Sequence, residues 1–345
     1  LLELGVQPDI LVCRTEHRLS SEIKSKIALF CNVPVDSVIE ARDAETIYDV
    51  PLKLMREGLD EAVLRRLNLT PTRDPEMDAW RDFLKRLKNP LDEVHVGLVG
   101  KYVELPDAYK SILESFVHAA AANEVKVNVT LIHSEDVQEE NVERYLAPLD
   151  GVVVAPGFGK RGIQGKLMAI EYCRMRNIPF LGICLGMQMA CIEFGRNVLG
   201  LSRCNSTEFD AGTPDPVISL MEDQLEVTQI GGTLRLGNWT CDIRPGTLAE
   251  QVYGMGRIVE RHRHRYEFNN RYRELFEEAG FVLSGINPDN NLVEIIELPS
   301  HPFFIATQYH PEYRSTVMHP HPLFVAFVAA MARQRRQLAP QRTNE

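Results

Sequence analysis

From about residue 93 onward, short and mainly apolar runs alternate with stretches whose apolar residues recur every three or four positions. The runs Glu93–Val99, Val125–Ile132, Gly151–Ala155 and Phe180–Ile183 read as strands. The stretches Ala108–Ala122, Val137–Leu146 and Gly165–Arg176 between them read as helices. Apolar strands separated by helices predict parallel βαβ units, and hence an α/β fold whose central, mostly parallel sheet is flanked by helices. Residues 217–310 have a more strand-rich pattern, with Gly231-Gly232 and Asn287-Pro288-Asp289 as turns. Leu323–Ala332 predicts a closing helix. From Arg333 the chain turns basic and polar, and residues 336–345 are expected to be a disordered tail.

The front of the chain has a different texture. Residues 1–70 predict a strand at Pro8–Cys13, a helix at Ser20–Phe30 with Ser20 or Ser21 as its N-cap, and amphipathic runs at Pro51–Glu57 and Leu59–Leu67. So few elements cannot close a core, so residues 1–70 are expected to be a partial segment of a second α/β domain. Pro71, Asp74, Pro75 and Pro90 frame the charged run Met77–Leu87, and residues 71–92 read as a linker helix region. The complete domain is then 93–335. Leu1 opens inside an apolar stretch, which predicts a piece of something longer. No internal repeat is evident.

Composition narrows the function classes. The 345 residues are 44% apolar with a net charge of −10, too apolar for a disordered chain and too acidic for a main partner of nucleic acid. The apolar runs fall far short of the roughly 20 residues that cross a bilayer, so no membrane partner is expected. Seven cysteines form no CxxC pair and none sits at finger-like spacing from a histidine. That excludes a zinc site or disulfide framework and fits a reducing, cytoplasmic compartment; no metal ligand set is expected.

The sharpest chemical feature is Leu181-Gly182-Ile183-Cys184-Leu185-Gly186, where an apolar strand runs into a helix beginning near Leu185. Glycines at −2 and +2 let a nucleophile sit on a tight strand-to-helix turn, the thiol counterpart of the G-x-S-x-G elbow. A helix N-terminus there favours a thiolate and supplies free N–H groups for an oxyanion. A second constellation, Gln308-Tyr309-His310-Pro311-Glu312, follows the strand Phe303–Ala306. A cysteine nucleophile needs a base and the base an orienting acid; on an extended segment His310 and Glu312 share a face. A third, Gly157-Phe158-Gly159-Lys160-Arg161-Gly162, has the spacing of a dinucleotide fingerprint. Its strand is not the first of the domain and no acidic residue ends a following strand, so the loop reads instead as a source of oxyanion N–H groups beside Cys184. No phosphate-binding G-x-x-x-x-G-K-[ST] occurs.

The motif P-x-L-G-I-C-L-G-M-Q around Cys184, the glycine loop and Q-Y-H-P-E together resemble the class I glutamine amidotransferases. Asn205–Asp210, Gly231–Gly237, Arg261–Glu267, Gly100–Lys110 and the front-end segments Gly5–Asp9 and Lys26–Pro34 are similar to the CTP synthase family. The likeness runs from residue 1 to about 330. It implies a glutaminase in which Cys184 attacks the glutamine amide to form a thioester, with His310 as base and acid and Glu312 as its orienter. It further implies an oxyanion hole at Gly157 and Leu185, and glutamine binding by Gly157, Leu185, Gly186, Met187, Gln188, Glu208 and Arg265. In the full-length enzyme the ammonia would convert UTP to CTP with ATP and Mg, whereas the glutaminase itself needs no cofactor. Lys26 and the turn Arg42, Asp43 and Ala44 match nucleotide contacts, and Phe158 and Arg235 are the candidates for GTP, the allosteric activator. The partners implied are L-glutamine, the remaining synthase domain with its UTP and ATP, and further copies of the chain, a tetramer in the family. One departure stands out: Pro156 lies where the family commonly has glycine, and it should limit how the loop flips. The competing expectations are a non-catalytic regulatory or oligomerisation module and a γ-glutamyl hydrolase on the same fold.

Overall fold

The computed structural model describes residues 4–220 and 235–342. The predicted turn at Gly231-Gly232, and Thr233 and Leu234 beside it, lie outside the described residues. The chain divides into two compact units, Leu1–Leu84 and Lys85–Glu345.

In the first unit β1 (Leu11–Thr15) is followed by α1 (Ser21–Cys31), β2 (Val38–Arg42), α2 (Val50–Arg56) and α3 (Leu59–Arg66). The unit boundary falls within α4 (Asp78–Lys88). Ser20 caps α1 through its hydroxyl, which accepts from the Ile23 N–H at 3.2 Å. The expected strand at Pro8–Cys13 starts three residues later, at Leu11, where parallel pairing with β2 begins. Pro8 has no N–H to give a ladder. Strand β2 itself carries no clear periodicity and escapes a sequence reading. Tyr48, Trp80 and Phe83 form an aromatic cluster within this unit, and the Trp80 indole donates to the Tyr48 carbonyl at 2.8 Å.

The second unit opens with β3 (Asp92–Gly100), α5 (Lys110–Asn123), β4 (Val125–His133), α6 (Val142–Leu146), β5 (Gly151–Val154), α7 (Ile163–Arg176), β6 (Phe180–Ile183) and α8 (Leu185–Asn197). Then come β7 (Cys204–Ser206), β8 (Asp215–Ser219), β9 (Arg235–Ile243), α9 (Leu248–Tyr253), β10 (Arg257–His264), β11 (Glu267–Phe268) and α10 (Arg273–Glu278). Strands β12 (Val282–Ile286), β13 (Val293–Glu297) and β14 (Phe304–Thr307) precede α11 (Pro322–Arg342). One sheet has the order β10-β9-β12-β13-β14-β6-β5-β3-β4, parallel from β14 to β4 and antiparallel from β14 to β10. A smaller sheet, β11-β8-β7, adjoins α8. Alternation along the central strands sends Val152, Val154 and Phe180 to one face, with α7 and α8, and Val153, Leu181 and Ile183 to the other, with α5 and α11. Both faces are therefore core, which is why these strands read as unbroken apolar runs.

Two expected elements differ. The helix at Val137–Leu146 shrinks to α6, because the Asn141 side chain ties a turn by accepting from the Gln138 N–H at 2.9 Å and donating to the Asp136 carbonyl at 2.8 Å. The supposed disordered tail from 336 instead continues α11 to Arg342. Its Arg, Gln, Leu and Ala residues are good helix formers. Arg335 also pairs with Asp150 at 3.0 Å and Arg336 with Asp92 at 3.3 Å. No helix among the described residues is long and apolar enough to cross a membrane.

Candidate active site

Cys184 lies between the end of β6 and the first turn of α8 with φ 53° and ψ −101°. That backbone is strained for a residue with a Cβ, by about 1–3 kcal/mol. The surroundings hold it there. The Cys184 N–H donates to the Thr307 carbonyl of β14 at 2.7 Å. A Cβ on Gly182 would lie 2.7 Å from Ala306 Cβ and 2.9 Å from the Gly186 carbonyl carbon, and one on Gly186 would lie 2.3 Å from the Val154 oxygen. The two glycines thus let the elbow close against β5 and β14. Gly186→Ala is accordingly expected to lower unfolding stability by about 1–3 kcal/mol or more, since the obstacle is backbone rather than a movable side chain. Denaturant melts of the two proteins check this.

His310 and Glu312 meet as the spacing suggests, but by a different route. The chain leaves β14 at Thr307 and makes a 3-10 turn at Pro311–Tyr313, so the segment is not extended. The turn brings His310 Nδ1 to 2.7 Å from Glu312 Oε1, both residues being buried. Burial works against the imidazolium, yet the Glu312 carboxylate and the Cys184 sulfur together hold the His310 pKa well above its usual value. Nε2 bonds no carbonyl or carboxylate and is the nitrogen left for Cys184. The Tyr313 ring stacks on the imidazole at 4.9 Å, and the Arg261 carbonyl accepts the His310 N–H at 2.8 Å.

Strands β5 and β6 are neighbours, so the glycine loop lies beside the elbow. A Cβ on Gly157 would touch Leu185 Cδ2 at 3.5 Å, which places the two expected oxyanion donors at adjoining positions. Lys101 Nζ donates to the Phe158 carbonyl at 2.6 Å and the Gly159 carbonyl at 2.5 Å, and the Gly159 N–H donates to Glu208 Oε1 at 2.6 Å. Gln188 Nε2 donates to the Tyr266 carbonyl at 3.0 Å and to Gln308 Oε1 at 3.2 Å, while Gln308 Nε2 reaches the Cys184 sulfur at 3.7 Å. Met187 and Gly186 follow in the first turn of α8. These contacts join the elbow, the glycine loop, Gln188, Gln308 and Glu208, and Arg265 directly precedes Tyr266, whose carbonyl Gln188 reaches.

Other expected residues are placed differently. Arg235 is buried, its guanidinium 2.6 Å from Glu294 and 3.7 Å from Glu267 and stacked on Trp239 at 4.6 Å, whereas Phe158 is half exposed. Arg235, a candidate for the activator, has its charge engaged by two buried carboxylates. His262 and His264 join this cluster, with Nδ1 and Nε2 2.8 Å apart. Burial holds both imidazoles far below their usual pKa, with His264 and Arg235 adding to the effect on His262, and Arg235 and His310 to that on His264. In the first unit Arg42, Asp43 and Ala44 line a cleft of about 510 Å³ with Arg14 and Lys53. Lys26 is not in that lining; it is exposed and paired with Glu22 at 2.6 Å. Sequence reasoning assigned no role to Gln308, although it heads the Q-Y-H-P-E motif, nor to Lys101, although it lies in the Gly100–Lys110 motif, nor to Lys166, which had no motif signal of its own.

The family model described as glutamine amidotransferase class-I matches residues 104–330, and that described as CTP synthase N-terminus matches residues 1–69. A CTP synthase of Flavobacterium johnsoniae is 59% identical over 330 residues, covering 96% of this chain and 62% of that protein. One of Christiangramia forsetii is 59% identical over 330 residues, covering 96% and 60%. The chain thus spans about three-fifths of the length of these curated relatives. Among solved structures, the glutaminase domain of Trypanosoma brucei CTPS with bound acivicin matches with a TM-score of 0.66 and 37% identity, covering 70% of this chain and 94% of that one.

Proposed function

The chain belongs to the CTP synthase family and carries its class I glutamine amidotransferase domain, and from this premise we propose that residues 93–335 hydrolyse glutamine through a Cys184–His310–Glu312 triad. One observation carries the reading. A strained cysteine at a helix N-terminus stands beside a buried imidazole whose other nitrogen is held by a carboxylate 2.7 Å away. That is the arrangement of nucleophile, base and orienter in acyl transfer.

In this reading His310 Nε2 takes the Cys184 proton, and the thiolate attacks the side-chain amide carbon of glutamine. The oxyanion is held by the N–H groups of Leu185 and Gly157, each such donor being worth roughly 3–4 kcal/mol of barrier. The imidazolium, stabilised by Glu312, then protonates the departing nitrogen. Ammonia leaves and a γ-glutamyl thioester remains, which water hydrolyses with His310 again as base. Glu208 and Arg265 are suited to the substrate's ammonium and carboxylate, and Gln188 is tied through Gln308 to the Cys184 sulfur. Side chains and backbone N–H groups of this chain carry each of these steps.

The ammonia is proposed to serve ATP-dependent amination of UTP to CTP by the full-length enzyme, a cytoplasmic homo-oligomer activated by GTP. Arg14 and Lys53 give the first unit's cleft a cationic lining that suits a nucleotide phosphate. The described residues gather no set of three or more metal-ligating side chains.

The test is direct. The purified chain should release glutamate and ammonia from glutamine, and a glutamine-mimicking electrophile should add its mass to the Cys184 peptide. Labelling at another cysteine, or none, would overturn the assignment.

A further inference from the structure

Beneath the oxyanion loop lies a lysine that the reaction above does not use. Lys166 is in the first turn of α7 and is fully buried. Its direction is set by close packing. Gly162 precedes the helix with φ 70°, and a Cβ on Gly165 would fall 1.8 Å from the Ser134 carbonyl oxygen. Only glycine lets α7 start this close to the chain leaving β4, and that approach turns Lys166 inward. Its ammonium donates to the Ala155 carbonyl at 2.5 Å.

Stability does not account for an amine at this position. A methionine of similar length would fill the space without the cost of desolvating an ammonium. Burial pushes the Lys166 pKa down to about 7, Lys101 adds to the fall and Cys184 opposes it. Both the charged and the neutral form keep N–H donors for the carbonyl.

Ala155 is where β5 leaves the sheet for the loop. Its N–H donates to the Val99 carbonyl at 3.0 Å, so Lys166 completes the anchoring of that residue's backbone. The preceding carbonyl, of Val154, is pressed against Gly186. Pro156 follows with a fixed φ and no donor, so the orientation at Ala155 passes to Gly157 with little slack. Lys101 holds the loop's far side at Phe158 and Gly159.

We infer that Lys166 is a positioning residue which, by holding the Ala155 carbonyl, aims the Gly157 N–H at the developing oxyanion. The inference rests on the glutaminase reading, and its test separates the two. Glutamine hydrolysis by the unaltered chain, lost in Cys184→Ala, establishes the reading independently of Lys166. Lys166→Met should then lower kcat by about 10- to 100-fold with KM for glutamine within about two-fold, as expected of a misplaced donor. Its fold should be retained, the removed desolvation of the ammonium offsetting the Ala155 carbonyl left without its donor. Alkylation of Cys184 by iodoacetamide, followed at the Cys184 peptide by mass spectrometry, forms no oxyanion and should keep its rate within about two-fold. Lys166→Leu is read in the same way, so that a folding failure in one variant leaves the other. An unchanged kcat overturns the inference. So does alkylation that falls in step with kcat, which would make Lys166 a partner of the thiolate instead, or a change confined to KM.

Discussion

Cys184→Ala is expected to remove glutamine hydrolysis, lowering kcat by about 10⁴-fold or more while leaving the fold intact. The magnitude follows from the chemistry: without the sulfur no thioester forms, and the oxyanion donors with binding alone give only a residual acceleration over water. Release of glutamate measured with a coupled assay, alongside a thermal melt, checks both halves. The backbone adds a sharper expectation. Alanine keeps a Cβ at φ 53° and ψ −101°, whereas glycine adopts such angles without that penalty. Cys184→Gly should therefore be as inactive as Cys184→Ala but melt at least as high, despite glycine's greater chain entropy when unfolded. A clearly lower melt for glycine would mean that the elbow is not strained. Stability is given up at this position to present the nucleophile.

Glu312→Gln is expected to cost about 10³- to 10⁴-fold in kcat at similar KM. The substitution is nearly isosteric, so the effect is one of tautomer and charge. In the native site Glu312 accepts the Nδ1 proton of His310 at 2.7 Å and leaves Nε2 to receive the thiol proton. A glutamine amide can donate to Nδ1 instead, which favours the Nε2–H tautomer and blocks that transfer. The pH profile should move as well. Burial pushes the His310 pKa down, whereas the Glu312 carboxylate and Cys184 push it up, and the second influence prevails. A raised pKa keeps the imidazolium present, as the acid for ammonia departure, until the pH passes that value. Removing the carboxylate lets burial dominate, so the alkaline limb of kcat should shift to lower pH. A variant with native kcat and an unmoved limb would remove Glu312 from the mechanism.

Much of the site was legible in the chain because its parts are local. The elbow is one contiguous motif whose glycines declare a tight turn, and β6 and α8 fall where the pattern puts them. His310 and Glu312 are two residues apart, so their relay is nearly a local property, even though a 3-10 turn rather than an extended segment delivers it. The buried strands were visible because both sheet faces are covered. Elements decided by side-chain capture were missed: Asn141 shortens α6, and ion pairs of Arg335 and Arg336 accompany the continuation of α11 through a region that reads as a polar tail.

The sequence alone laid out the alternating strands and helices from β3 to α8 and singled out Cys184, His310 and Glu312, since each is written in short-range periodicity or in a compact motif. The tertiary structure decided which distant segments meet. Only the pairing of β5 with β6 and of β6 with β14 sets Gly157 beside Leu185 and delivers His310 toward Cys184. Only packing reveals that Arg235 is committed to buried carboxylates and that Lys166 reaches the Ala155 carbonyl. A charged residue's partner is fixed by where the chain folds back, not by its neighbours in sequence, so a buried lysine or arginine looks like any surface charge until the core closes around it.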